Sequence, residues 1–151
     1  MNKGQFAIIG LVAVSLALGG VLYWTANHAW YERVTDVTEI SVRGQTVSVT
    51  DYDGIDSPTS PLRIRGCFQL NLAGLPAMEP APEATPLIEP PWFECFDAGQ
   101  LTADLASGAA TAHAIADETP IAERDGDFAI IRYIAVYPDG RAYLWRQRNE
   151  V

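Results

Sequence analysis

The feature that most constrains this chain is an uncharged apolar run near its amino terminus, FAIIGLVAVSLALGGVLYW, which occupies residues 6–24. In these 19 residues only Ser15 and the Tyr23 hydroxyl are polar. As an α-helix a run of this length rises about 28 Å, close to the roughly 30 Å thickness of the hydrocarbon core of a bilayer. We therefore predict one transmembrane helix over residues 6–24, with helical structure extending to about residue 33.

The charges that flank this run predict its orientation. Lys3, the only lysine, precedes the run together with the amino terminus. The positive-inside rule places residues 1–5 in the cytoplasm and residues 35–151 in a bacterial periplasm, so that the chain is a single-pass protein of the inner membrane. Four aromatic residues typical of the headgroup layer follow at the far end of the run: Tyr23, Trp24, Trp30 and Tyr31.

A cleaved signal peptide has the same order of charges and is the alternative to a retained anchor. Two features favour the anchor. The apolar run is longer than the core of a signal peptide, which usually has about 7 to 15 residues. Cleavage after Ala26 or Ala29 would also place Trp24 or Asn27 three residues before the cut, where a small residue is expected.

Small residues recur at four-residue spacing within the predicted span: Ala13 with Ala17, and Ser15 with Gly19. In lipid, small side chains allow two helices to approach closely, so these four residues are candidate contacts with a helix of another membrane protein. Alanine and glycine are also common in spans generally, and the sequence does not separate the two explanations.

The part of the chain beyond the span is strongly acidic. Residues 25–151 contain nine arginines against all 19 aspartates and glutamates, which gives a formal charge of −10. Nucleic acids and anionic lipid surfaces select basic proteins, so we expect neither as a partner. A basic protein partner is compatible with this charge, and simple solubility also explains it.

Between Arg65 and Arg124 the chain contains nine acidic residues and no lysine or arginine. Five of them form our candidate surface for a basic partner, such as a soluble electron carrier: Glu79, Glu83, Glu89, Glu94 and Asp97. Long-range attraction would raise the association rate of such a carrier and make that rate strongly dependent on salt.

The chain has two cysteines, Cys67 and Cys95, and their compartment decides how they are interpreted. In an exported domain they predict a disulfide, which would raise the free energy of unfolding by roughly 3 to 4 kcal/mol. A metal contact is one alternative, and a nucleophile with His113 as its base is another. The C-x-x-C and C-x-x-C-H motifs are absent, and a structural zinc site would need both histidines, one of which, His28, lies next to the span. We expect no cofactor and no metal site.

The pattern of the next residues predicts strands and a loop. Alternation over residues 35–51 predicts a hairpin with its turn at Arg43-Gly44, and residues 62–72 predict a further strand. Residues 51–61 are rich in turn formers and are expected to end the hairpin. Residues 73–92 contain six prolines and predict an extended loop, because proline removes a backbone donor and restricts φ.

The remaining residues predict one short helix and a carboxy-terminal hairpin. The helix over residues 97–108 begins at an Asp97 cap and ends at a glycine. Residues 109–117 predict a modest strand, and two β-rich runs flank a turn at Pro138-Asp139-Gly140. The predicted class is α+β: one transmembrane helix, then a small, mainly antiparallel sheet domain with one short helix and a proline-rich loop.

Three motifs stand out in combination: S-P-L-R-I-R-G-C-F, W-F-E-C-F-D-A and A-V-Y-P-D-G-R-A-Y-L-W. Together with the single-span anchor they resemble a family of uncharacterised proteins, of unknown function, from alphaproteobacteria. The resemblance covers nearly the whole chain. It implies an inner-membrane protein whose domain faces the periplasm, and it implies no particular activity.

Several classes of function fit these features. We favour a non-catalytic accessory subunit of a larger inner-membrane complex, such as a respiratory oxidoreductase, whose acidic domain stabilises the complex or helps a basic electron carrier to dock. The alternative is a periplasmic assembly or maturation factor for a membrane metalloenzyme, with reduced Cys67, reduced Cys95 and His113 as its site. An enzyme is not expected, because the reactive residue types are spread along the sequence, and a sensor is disfavoured by the short cytoplasmic segment.

Overall fold

The computed structural model describes residues 2–151 and begins with one long helix, α1 (Lys3–Trp24). Asn2 and Gln5 cap it reciprocally, since each side chain accepts a hydrogen bond from the backbone N–H of the other. A single π-helical turn over Thr25–Ala29 continues the helix. The stretch Lys3–Ala29 is long and apolar enough to span a membrane, and every residue of α1 is exposed.

The helical structure ends at Ala29, before the expected limit near residue 33, because the chain joins the sheet. Strand β1 (Glu32–Val34) pairs with the later strand that contains Gly54–Asp56. The backbone groups of β1 are directed to that neighbour and cannot also complete a helical turn. The sheet domain therefore begins at Glu32 rather than at residue 35.

In the described part of the chain seven strands form one sheet, and every pairing in it is antiparallel. After β1 the strands are β2 (Glu39–Val42), β3 (Gln45–Asp56), β4 (Arg65–Leu70), β5 (Thr111–Asp117), β6 (Phe128–Val136) and β7 (Arg141–Glu150). Their order in the sheet is β1-β3-β4-β7-β6-β5, and β2 pairs with β3. With one short helix, α2 (Ala98–Ser107), the structure confirms the predicted α+β class.

The first predicted hairpin is present as β2 and β3, with Arg43 and Gly44 at positive φ in its turn. β3 nevertheless continues through Asp56, where the sequence predicts a turn region. Its register with β4 shifts between Thr50 and Asp53, as in a β-bulge that bends a strand. The bend lets the first half of β3 pair with β2 and the last residues pair with β1, so that the turn-forming residues lie in a strand.

The sheet has two buried faces, because successive residues of a strand point to opposite sides. On one face Tyr133 and Trp145 are fully buried, and on the other Ile134 and Leu144 are almost fully buried. The first face is covered by α2 and by the residues before it, chiefly through Phe93, Phe96 and Leu101. The second face is covered by the β2–β3 hairpin, chiefly through Ile40, Val42, Val47 and Val49.

The proline-rich loop over residues 73–92 lies against the domain and contains no strand and no helix apart from the end of a 3-10 turn (Leu72–Gly74). The N–H of Ala81 donates to the carbonyl of Ala112, 2.8 Å away on the edge strand β5. Further along, the N–H of Thr85 donates to the Gln147 side chain at 2.7 Å. The loop is therefore held by the edge strand and by β7, and it is not a free linker.

The remaining predicted elements are also present. Helix α2 begins at the Asp97 cap, whose carboxylate accepts from the N–H of Gln100 at 2.9 Å, and it ends at Gly108 in the left-handed conformation. β6 and β7 form the carboxy-terminal hairpin. β7 lies in the middle of the sheet between β4 and β6, while the more apolar β6 is second from the edge.

Candidate functional site

The four predicted helix-packing residues lie on two different sides of α1. Successive residues of an α-helix are rotated by about 100°. Ala13 and Ala17 therefore share one side, and Ser15 and Gly19 share a side about 200° away. A single partner helix can contact only one of these pairs closely.

The side that carries Ala13 and Ala17 also carries Gly10 and Gly20, and we call these four the small-residue face. Their alternating spacing of three and four residues keeps them on one side of the helix over about 15 Å. A side-chain carbon added at Gly10 or Gly20 would meet no other atom within 4 Å. Four-residue spacing pairs Ala13 with Ala17 and Ser15 with Gly19, and it does not reveal Gly10 or Gly20, which the three-residue steps add to this side.

The anchor is joined to the domain through one tryptophan of the loop. The indole N–H of Trp92 donates to the carbonyl of Asn27, which lies in the π-helical turn after α1. The Trp92 ring stacks on His28, with the ring centroids 5.7 Å apart, and meets the edge of Tyr31 at 5.9 Å. The last carbonyls of a helix have no donor within the helix. The Trp92 indole N–H is the donor to one of them, the carbonyl of Asn27.

Two arginines complete this junction: Arg63, in the 3-10 turn before β4, and Arg65, the first residue of β4. The Arg63 guanidinium lies over the Tyr31 ring, 5.5 Å from its centroid. Arg65 is buried and donates to two loop carbonyls, those of Leu87 at 3.1 Å and Ile88 at 3.2 Å. Burial lowers the pKa of the Arg65 guanidinium. The nearby Tyr31 and Glu89 act in the opposite direction and raise that pKa.

The structure joins Cys67 and Cys95 in a disulfide, as predicted. Cys67 lies on β4, facing the core, and Cys95 lies in the segment that leads into α2. The bond therefore ties the end of the loop region to the middle of the sheet, three residues after Trp92.

His113 does not lie with the two cysteines. It is on β5, with its Nδ1 atom 3.0 Å from the carbonyl oxygen of Glu79, and it lines a different cleft from the one beside the disulfide. Within residues 2–151 no three histidine, cysteine, aspartate or glutamate side chains are grouped so that they could hold a metal ion. The site required by the maturation-factor hypothesis is not assembled in this structure.

The five acidic residues of the candidate partner surface are in different situations. Glu83 accepts from the Tyr133 hydroxyl at 3.0 Å, and Glu89 accepts from the N–H of Ala98 at 3.0 Å. Asp97 caps α2, as described above. Glu79 and Glu94 are exposed, and no hydrogen bond of either carboxylate is found among residues 2–151. Three of the five therefore have a structural part in the domain, and two project freely.

An open cleft of about 500 Å³ lies between the loop, α2 and β5. Its walls are apolar or small residues, among them Pro80, Pro82, Leu105 and Ala112, and its lining includes no titratable side chain. Its polar side chains are those of Thr102 and Thr111, and no titratable group in the lining could act as their base.

Comparison with known proteins concerns the sheet domain. The model of a family of unknown function, DUF6446, matches residues 34–151, which is the domain from the last residue of β1 to the end of the chain. No curated protein and no solved structure matches the chain. The match confirms the resemblance to an uncharacterised family, while the alphaproteobacterial source and the periplasmic orientation stay predictions.

Proposed function

We propose that this chain, which belongs to the DUF6446 family of unknown function, is a non-catalytic accessory subunit of a larger inner-membrane complex. The observation that carries the proposal is α1 itself. This helix is apolar enough to span a membrane, and the rest of the chain covers none of it. Its small-residue face (Gly10, Ala13, Ala17 and Gly20) offers a partner helix a close approach along about three turns.

Lipid tails are as apolar as leucine, so no hydrophobic driving force brings two spans together, and association depends on close packing and hydrogen bonds. A simple tether needs only length and apolar character. A continuous face of small residues allows the backbones of two helices to approach closely. A packed subunit needs this close approach, and a simple tether does not.

The acidic domain suggests what the subunit contributes outside the bilayer. Residues 25–151 carry a formal charge of −10, and Glu79 and Glu94 project freely from the loop and from the segment after it. Such a domain either stabilises the periplasmic side of its host or attracts a basic electron carrier to it. A respiratory oxidoreductase is the host that this charge suits, because its periplasmic side would meet such a carrier.

The test uses two neighbouring glycines of α1 that lie on different sides. Gly20 belongs to the small-residue face, and Gly19 is rotated from it by about 100°. Gly20→Leu and Gly19→Leu add the same bulk at nearly the same depth. We expect Gly20→Leu to release the tagged full-length protein from its host during extraction in mild detergent, and Gly19→Leu to retain it.

The readout is the set of membrane proteins that co-purify, identified by mass spectrometry. Release by Gly19→Leu alone would keep the accessory role and move the contact to the side of Ser15 and Gly19. If no larger complex accompanies even the wild-type protein, the accessory function is wrong. If both variants co-purify with the host as the wild type does, α1 is only a tether.

A further inference from the structure

The loop after the prolines returns to the level of the membrane surface. Trp92 donates to Asn27, which is three residues beyond Trp24, the last residue of the apolar run. Three helical residues rise about 4 to 5 Å, and the headgroup layer on each side of a bilayer is roughly 5 to 7 Å thick. When residues 6–24 fill the hydrocarbon core, the Trp92 indole therefore lies in the headgroup layer.

The sheet begins almost at once after the helix. Only Trp30 and Tyr31 separate the π-helical turn from β1, and two extended residues span at most about 7 Å. The register pairs Glu32 with Asp56, and Ile55 with Arg65, so the starts of β1 and β4 and the end of β3 lie together. We call this end of the sheet the membrane end.

Ile88 is held at the membrane end with its side chain in the open. Its carbonyl and that of Leu87 accept from Arg65, the first residue of β4, and the neighbouring Glu89 is fixed by its bond to the N-terminus of α2. The Ile88 side chain is nonetheless 85% exposed. Two backbone carbonyls and the following side chain are thus bonded to the sheet and to α2, so this exposure is set by the fold and not by a loose loop.

Single exposed apolar residues are ordinary on protein surfaces, whereas several at one end of a domain indicate a contact surface. Among residues 25–151 five large apolar residues are exposed, and Leu72 is the one that lies at the opposite end of the sheet. The other four are placed at the membrane end by the strand ends that they adjoin or, for Ile88, by its bond to Arg65: Trp30 precedes β1, Ile121 follows β5 and Val151 follows β7.

We propose that residues 86–92 of the proline-rich loop form a second membrane contact, in which Ile88 enters the headgroup layer at the level of Trp30 and Trp92. The domain would then lie on the lipid surface in one fixed orientation instead of moving freely above its anchor. The partner is a zwitterionic lipid surface, because a domain with a formal charge of −10 is repelled by anionic headgroups. The inference rests on α1 spanning the membrane, as the proposed function does, and it does not require a host complex.

A spin label on the full-length protein measures the depth of Ile88 directly. In Ile88→Cys the added thiol can be labelled while Cys67 and Cys95 remain bonded to each other. Leu72→Cys is the matched control, since this exposed leucine follows β4 at the opposite end of the sheet. A third variant, Leu11→Cys, reports the middle of the span.

Each labelled protein is reconstituted into phosphatidylcholine vesicles, and its accessibility to oxygen, which concentrates in lipid, is compared with that to a water-soluble nickel chelate. We expect the oxygen-to-nickel ratio at position 88 to exceed that at position 72 several-fold. Equal ratios at 88 and 72, with position 11 in lipid, would overturn this inference and leave the proposed function intact. A label at position 11 that reports water would overturn both.

Discussion

Gly140 shows how a single residue determines a strand connection in this domain. It lies in the turn between β6 and β7 with a φ of +88°. A side-chain carbon at this position would lie 2.6 Å from the carbonyl oxygen of Leu70, well inside contact distance. The N–H of Leu70 in turn donates to the Gly140 carbonyl at 3.0 Å, so the turn packs directly against the end of β4. Only glycine satisfies both the backbone conformation and this contact.

We therefore expect Gly140→Ala to lower the free energy of unfolding by at least about 1 to 3 kcal/mol, the usual cost of a strained backbone conformation at a residue with a side chain. Gly74→Ala is the control, because a side-chain carbon there meets no atom within 4 Å. The control should stay within about 0.5 kcal/mol of the wild type. Urea unfolding in detergent, followed by circular dichroism, measures both. Equal stability of the two variants would contradict the steric account.

At the scale of elements, the proline-rich loop behaves as a structural part of the domain although it has no regular structure. Its backbone is bonded to β5 at Ala81 and to the Gln147 side chain at Thr85, and Arg65 binds the carbonyls near its end. The disulfide then closes the segment onto β4. Phe93 and Phe96, on either side of Cys95, are buried against the sheet. Together with α2, the segment that contains them covers one face of the sheet.

Removing the disulfide should therefore weaken both the domain and its junction with the anchor. We expect the double variant Cys67→Ala, Cys95→Ala to lose roughly 3 to 4 kcal/mol of unfolding free energy, with faster proteolytic cleavage within residues 73–92. Reducing agent should have the same effect on the wild type and no effect on the double variant, which serves as the control. Two thiols that react with an alkylating reagent in freshly isolated protein would show that the bond is absent.

At the scale of the whole molecule, anchor and domain form one continuous unit. The helix leads into β1 through two residues, and the loop returns to bind its last turn through Trp92 and Asn27. Cleavage after Ala26 or Ala29 would cut within or directly after the turn to which Trp92 is bound. A cut after Ala29 would remove Asn27, the partner of Trp92, and a cut after Ala26 would separate Asn27 from the helix that precedes it.

We expect residues 6–24 to remain on the mature protein, because the last turn of the helix is part of the folded domain. The intact mass of the protein extracted from membranes measures this directly. A mass that lacks the first 26 or 29 residues would mean that the run is a signal peptide. The same result would also remove the basis of the accessory function.

Much of this fold could be predicted because its signals are local. The apolar run of α1, the Asp97 cap of α2 and the turn at residues 138–140 are each readable within a window of a few residues, and each is found where the pattern indicates. The disulfide also follows from local information, since an exported domain with two cysteines has one possible pair. These features depend on backbone conformation, capping and composition, which neighbouring residues determine.

The sequence by itself determined the long apolar helix, the α+β class, most strands and the cysteine pairing. Only the tertiary structure decided that β3 bends to pair with both β1 and β2, that Glu83 and Glu89 bond within the domain, and that Trp92 binds the turn after α1. These contacts join residues up to 65 positions apart. Their geometry depends on how the sheet twists and how the loop packs across it, and no local pattern of residue types carries that information.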